Sequence, residues 1–427
     1  MESSVRISMP RTSVSMPNSR RIAIMLVMFL LLYILCELAT YLGLSILQSR
    51  GKHPYSPTLT SEVSEKHREI LGRVVNGEAK YTGFSRDFGW TTLPYGENEI
   101  YQANSQGVRG TREYADTPPQ DTIRIAAFGD SYVHGDDVPN AEAWSILLEQ
   151  KASYLELMNF GVGGHGPDQG YLRYLNEGHA YSPDIVFIGF QTENINRVVN
   201  VFRPFYSPQT GNPLAKPYFK LTDKGIELNE NPITSLSGYQ ELLDEPAKVL
   251  GPMGENDFHY NYRYKPGPLD WSPTVRLLRA FYFEFKTRYM NPLYEDGQYR
   301  TTSEAYQLVS AIIQGFHCDV VRNEALPVIV LFPNRADLQA LASARGLKYE
   351  PLKEELLAAG YSVIDLAEAF RPQINEADLS KLINGHYTGQ GNEIVANYLL
   401  AEIGEAGLFS QLRLDQAVEE QARVCQQ

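Results

Sequence analysis

A chain of 427 residues exceeds one ordinary domain and can bury a large core. Charged residues make up 21% and hydrophobic ones 43%, an ordinary globular balance. The formal net charge of -13 argues against sequence-independent nucleic-acid binding, which needs a basic surface, so no nucleic-acid partner is expected.

The first fifty residues differ from the rest. Met1 to Arg21 is polar, with Arg6, Arg11, Arg20 and Arg21 against the single acid Glu2. Ile22 to Leu47 is then almost wholly apolar. As a helix it spans about 39 Å at 1.5 Å per residue, against a hydrocarbon core of about 30 Å. Glu37 interrupts it beyond the most apolar part, towards the outer interface. The run is long for a signal-peptide h-region of about 7–15 residues, which favours an uncleaved anchor over a cleaved leader. The leading arginines favour a cytoplasmic N-terminus. The expected layout is a cytoplasmic segment 1–21, a transmembrane helix 22–48, a stalk and lead-in 49–120, and an extracytoplasmic domain 121–427. That domain would be periplasmic in a Gram-negative cell.

The lead-in is polar, turn-rich and aromatic, with a stalk near Ser56 to Glu65 and short strands after it. A β/α alternation follows. Thr122–Phe128 reads as a strand, Ala143–Ala152 as a helix, Leu155–Asn159 as a strand and Asp168–Glu177 as a helix. Pro183–Phe190 is a continuous apolar run, as expected of a strand buried on both faces. Residues 196–300 interrupt the pattern with many Pro, Tyr and Phe. They are too long for a bare connection. The segment as a whole suits a lid or substrate wall, whereas its individual rings suit packing among themselves. Beyond it come a helix over Thr302–Ala325, a strand over Leu326–Phe332 and two helical stretches. A strand at Tyr361–Leu366, a helix at Asn392–Ile403 and a terminal helix at Ser410–Cys425 complete the chain. The fold class is α/β, a parallel sheet with helices on both faces.

Three cysteines, Cys36, Cys318 and Cys425, are widely scattered. They indicate neither a disulfide framework nor a metal site, and Cys318 is expected to be a core thiol. No cofactor is called for.

The chemistry gathers at strand ends. Gly129-Asp130-Ser131 ends the first strand and puts a hydroxyl at the carboxyl edge of the sheet, where open α/β folds bind ligands. A serine needs a base beside it. Of eight histidines, His53 and His67 lie in the lead-in, His179 on a turn, and His259 and His317 in the insertion and on a helix. His134 is too close in sequence to Ser131 to reach its hydroxyl easily. His165 and His386 remain, and His386, in a Gly-rich loop before the last core helix, is the better candidate. The Gly-rich run Asn159 to Gly166 follows the second strand, and Thr192 to Arg197, with Asn194, follows the third. Both can aim N–H donors at a developing oxyanion.

With these four segments in order over Ile123 to Ala396, the chain resembles an SGNH hydrolase, also called a GDSL-type esterase or lipase. The lead-in Asn104 to Gly110 and the anchored layout are similar to bacterial membrane-anchored members. The resemblance implies a three-layer α/β/α domain with Ser131 as nucleophile and His386 as general base. It also implies an oxyanion hole of the Ser131 N–H, Gly164 and Asn194. Two positions depart from the family pattern. The third block normally reads Gly-x-Asn-Asp, but here Asn194 is displaced from Gly189, and Glu193 competes for its place. A carboxylate would repel an oxyanion, so Asn194 is the physical choice. The last block normally carries an aspartate two or three residues before the histidine, where this chain has Asn384 and Ile383. Asn384 becomes the expected orienter of His386, with Asp378 and Asp365 as more distant substitutes.

The expected activity is an extracytoplasmic serine esterase that removes or transfers O-acyl groups on a polysaccharide. Its partners would be an acylated carbohydrate, or another ester, and the membrane. Lipid or thioester hydrolysis is the alternative within enzymes. A catalytically weak carbohydrate-binding or polysaccharide-assembly protein is the alternative outside them, argued from Asn384.

Overall fold

A computed structural model describes residues 17–49, 62–374, 379–408 and 411–425. Two compact units emerge: Met1–Pro57 with Pro266–Arg288, and Thr58–Lys265 with Tyr289–Gln427.

The larger unit is built on five parallel strands: β1 (Ile123–Phe128), β2 (Leu155–Asn159), β3 (Ile185–Phe190), β4 (Leu326–Leu331) and β5 (Val363–Asp365). Their order is β5-β4-β3-β1-β2. Ile125 lies opposite Leu157 of β2 and Ile185 of β3, and Val328 opposite Phe187. β1 to β4 are buried along their whole length, which explains why they read as unbroken apolar runs rather than alternating ones.

Alternate side chains feed two cores. Ala126, Phe128, Ile188 and Leu331 meet Tyr174 of one helix (Pro167–Asn176) and Ile312 and Phe316 of another (Glu304–Arg322). Ile125, Ala127, Phe187 and Val330 meet Trp144 and Leu148 of a third (Trp144–Lys151) and Val395 and Leu399 of a fourth (Gly389–Glu405). Helices therefore cover both faces of the sheet, in three layers. After β1 the chain builds β2 on one side and β3 on the other, so the sheet reverses its direction of growth at the carboxyl end of β1. A crevice opens at such a point in open α/β folds.

The lead-in expectation of short strands corresponds to a hairpin of Thr82–Ser85 with Gly89–Thr92, preceded by a helix at Glu65–Val75. The first part of the expected stalk, up to residue 61, lies outside the described residues. The long insertion builds a core of its own. Phe202, Phe205, Tyr218, Tyr239, Tyr260 and Tyr264 pack together, with Trp90 of the lead-in among them. Most of its rings are thus structural, and only Tyr294 reaches the cavity described below.

One expectation is corrected here. Cys318, on the helix Glu304–Arg322, is disulfide-bonded to Cys425, just past the terminal helix Gln411–Val424. The Cα atoms lie 5.6 Å apart across a sequence separation of 107. Packing of the terminal helix against the long one brings together two thiols whose distance in sequence gave no sign of a pair.

The smaller unit contains the helix Asn18–Ser49, whose Asn18–Ile46 stretch is long and apolar enough to cross a membrane. A second helix, Pro273–Tyr289, starts in the same unit.

Candidate active site

β1 ends at Phe128, and the chain turns at Gly129 into the short helix Ser131–His134. The turn is tight. At Gly129, with φ +154°, a Cβ would come within 2.5 Å of Val133 Cγ2, so only glycine fits. Asp130 caps the helix by accepting the Tyr132 N–H at 2.9 Å. Its other oxygen accepts from Arg197 at 2.8 Å and from the Asn194 amide at 3.2 Å. Asp130 is thereby a buried tie between the loops after β1 and β3.

Ser131 and His386 meet. His386 Nε2 lies 2.8 Å from Ser131 Oγ, across 255 positions of sequence. His386 sits in a small antiparallel pair, Ile383–Asn384 with His386–Tyr387, just before the helix Gly389–Glu405. The Gly385 carbonyl between those strands accepts from Tyr132 OH at 3.1 Å, which fastens the pair to the serine helix.

The residue at His386 Nδ1 is Asp137, not Asn384. His386 Nδ1 lies 2.7 Å from Asp137 Oδ2. With Nε2 on Ser131 and Nδ1 on Asp137, no ring nitrogen is left for Asn384, whose side chain is exposed. Asp365, one of the substitutes considered, is engaged by Tyr349, Lys353 and the Ala367 N–H. Asp378, the other, lies outside the described residues. Asp137 comes from the turn after the serine helix and adopts a left-handed φ of 70°, which aspartate tolerates better than most residues. The lead-in holds it there, since the Asp137 N–H donates to Tyr101 OH at 2.8 Å.

The lead-in also braces the rest of that turn. Arg109, buried, donates to the carbonyls of His134 at 2.6 Å, Gly135 and Val138 at 2.6 Å. His134 faces away from Ser131, with Nε2 on Tyr81 OH at 2.6 Å and Nδ1 on Asp136 at 2.5 Å. Burial lowers its pKa, and the Asp136 carboxylate only partly opposes that. His165 is fully buried with Nε2 on the Trp90 carbonyl at 2.8 Å, and burial pushes it down to about 3. Neither can serve Ser131. His53 lies outside the described residues.

The expected oxyanion donors divide. Val162 N–H donates to Gly129 O at 3.0 Å, which lays the Gly-rich run alongside the serine turn. Gly164 has φ +84°, open to glycine and strained for other residues. Among the described residues neither the Ser131 nor the Gly164 N–H has an acceptor in the protein. A cation stands behind this loop. Arg203 Nη2 would lie 3.8 Å from a Cβ at Gly164, and burial followed by Arg197 pushes the Arg203 pKa down to about 9.

Asn194, in contrast, is committed elsewhere. Its amide donates to Asp130 and its oxygen accepts the Gln191 N–H at 2.8 Å. The side chain that lines the cavity beside Ser131 is Gln191. Gln191 Oε1 accepts from the Glu193 N–H at 2.9 Å and from the Asn334 amide at 3.4 Å. Those donors fix the amide's orientation and leave Nε2 without a protein partner among the described residues. Gln191 stands two residues after Gly189, where the family pattern places its asparagine. That spacing could have identified it.

Ser131, His386 and Gln191 open into a cavity of about 370 Å³. Its walls mix polar and apolar surface, with Glu193, Asn334, Arg335 and Lys348 beside Tyr132 and Tyr294, the latter from the insertion.

Neither known protein-family models nor curated proteins give a match to this chain. Solved structures do. A lipolytic protein of the G-D-S-L family from Desulfitobacterium hafniense DCB-2 is similar at 13% identity and a TM-score of 0.32, over 66% of this chain and 99% of its own. A lipase/acylhydrolase from Enterococcus faecalis is similar at 13% identity and 0.33, over 66% and 96%. A G-D-S-L family member from Veillonella parvula DSM 2008 is similar at 14% identity and 0.29, over 66% and 97%.

Proposed function

We propose that this protein is a membrane-anchored serine esterase that acts outside the cytoplasm on O-acyl groups of a polysaccharide. The observation that carries the reading is the run of contacts Ser131 Oγ–His386–Asp137, at 2.8 and 2.7 Å. In this reading His386 takes the Ser131 proton as Oγ attacks the ester carbonyl. Asp137 holds the ring tautomer and stabilises the imidazolium that forms. The N–H groups of Ser131 and Gly164 and the Gln191 amide receive the oxyanion. His386 then returns the proton to the departing alcohol, and water or an acceptor hydroxyl releases the acyl group. A carboxylate at His386 supports the enzyme reading over the binding-only protein argued from Asn384.

Glu193, Asn334, Arg335 and Lys348 on the cavity wall offer polar contacts to a hydroxyl-rich alcohol, which supports a carbohydrate ester as substrate. The Cys318–Cys425 disulfide fits an oxidising compartment, and the arginines before Ile22 favour the same orientation. The test is direct. Wild-type protein should be labelled by a fluorophosphonate and should release acetate from O-acetylated polysaccharide. Ser131→Ala should fold normally and do neither. A well-folded Ser131→Ala variant with unchanged turnover would remove the serine from the mechanism.

A further inference from the structure

We infer that the helix Pro273–Tyr289 and the turn before it form a second membrane contact, lying in the outer lipid leaflet against the N-terminal span. The inference rests on that span being a retained anchor. Leu269, Trp271, Leu278, Phe281, Tyr282 and Phe285 are large apolar side chains left exposed, Trp271 at 69% and Phe281 at 64%. The last four fall at the i, i+3, i+4, i+7 spacing of a single helical stripe. A stripe this apolar is not left in water, and the same unit offers its continuation. The Asn18–Ile46 helix is itself exposed over most of its length, with Glu37 and Thr40 half-buried and Leu44 buried.

The two helices are joined through Glu37. Ser272 Oγ donates to Glu37 Oε1, the Thr274 N–H donates to Oε2 at 3.2 Å, and Thr274 Oγ1 lies 3.3 Å from Thr40 Oγ1. An ionisable group inside a bilayer needs such partners, and the free N–H groups at the start of the second helix supply one. Ser272 also accepts the Val275 N–H at 3.1 Å, so it caps the helix while holding Glu37. Glu37 lies about 22 Å along the axis from Ile22, at 1.5 Å per residue, within a hydrocarbon core of about 30 Å. The turn carrying Trp271 and Ser272 therefore reaches below the outer headgroups. The helix holds Arg276, Arg279, Lys286 and Arg288 against the single acid Glu284. Basic residues with Trp, Phe and Leu are the composition of helices that lie in an anionic interface.

The full-length protein carries its own reporter. Of its three tryptophans, Trp90 and Trp144 are buried within the larger unit and Trp271 is exposed in the smaller one. The protein is reconstituted into phosphatidylcholine–phosphatidylglycerol vesicles with bromine at acyl carbons 6 and 7, or without bromine. Brominated lipid should quench the share of emission that belongs to one tryptophan of three. Trp271→Phe should abolish the quenching, and Leu278→Asp with Phe281→Asp should reduce it at least about twofold. Equal emission in the two lipids, from protein that floats with the vesicles, would overturn the inference. If cross-linking then joined two copies through Phe281→Cys, the face would be a dimer contact instead. Protein that does not float would overturn the anchor together with the inference. Esterase turnover plays no part in this readout, so failure of the catalytic reading stays separate.

Discussion

At the scale of single residues, the contacts divide side chains that touch the cavity from those that hold them. Asp137 should matter far more than Asn384. Asp137→Asn keeps the shape and removes the charge, and should lower turnover by on the order of 10²–10⁴. Asn384→Ala should stay within about twofold of wild type. Steady-state rates on a short acyl ester decide between them, and the reverse ranking would return the role to Asn384. Gln191→Ala should lower turnover about 10²–10³-fold with little change in KM, the loss typical of one oxyanion donor. Asn194→Ala should instead act through Asp130 and lower thermal stability, because it removes a buried partner from that carboxylate. Much of this was legible beforehand. The meeting of Ser131 and His386 was readable because the one follows a strand and the other precedes a helix at a recognisable spacing. Asp137 was not, although it lies only six positions after the serine. Its role depends on a fold-back that brings residue 386 to residue 137, and no local pattern records that closure.

At the scale of elements, the strands and helices of the core were readable because strands buried on both faces leave continuous apolar runs, and helices leave period-3.6 stripes. The insertion was harder, since its aromatic richness suits a lid and a private core equally. What decided the matter was burial: Phe205, Tyr239 and Tyr264 are inside it. The tie between the long helix and the terminal helix was also beyond the sequence, because cysteines 107 positions apart carry no spacing signal. Closing a loop of that size restricts the unfolded chain, so Cys318→Ala with Cys425→Ala should lose about 4 kcal/mol of stability. Denaturant unfolding in detergent measures it. Equal midpoints for the double variant and the oxidised parent would show that the bond contributes nothing.

For the whole molecule, the buried histidines set a dependence on pH. His134 and His165 both have pKa values below the ordinary 6.5 because burial disfavours the charged ring, and His165 falls to about 3. Below pH 6.5 the unfolded chain takes up protons that the folded chain refuses. The His165 contribution is therefore complete above pH 6.5 and is lost as pH falls from 6.5 towards 3, at about 1.4 kcal/mol per pH unit, and His134 acts in the same direction. His165→Gln should flatten the stability–pH slope between pH 6 and 4 by about that amount. A slope identical to the parent's would mean that His165 is protonated in the folded state.

The long reach from Ser131 to His386 carries one more consequence, which concerns time rather than space. Ser131 and Asp137 leave the ribosome within a few residues of each other. His386 follows 255 positions after Ser131, and the helix Gly389–Glu405 comes later still. A partly made chain therefore holds Ser131 without its His386 contact, and so does a chain clipped before residue 386. Under the proposed mechanism, ester cleavage would begin only once the His386 strand pair has folded back onto the Ser131 turn.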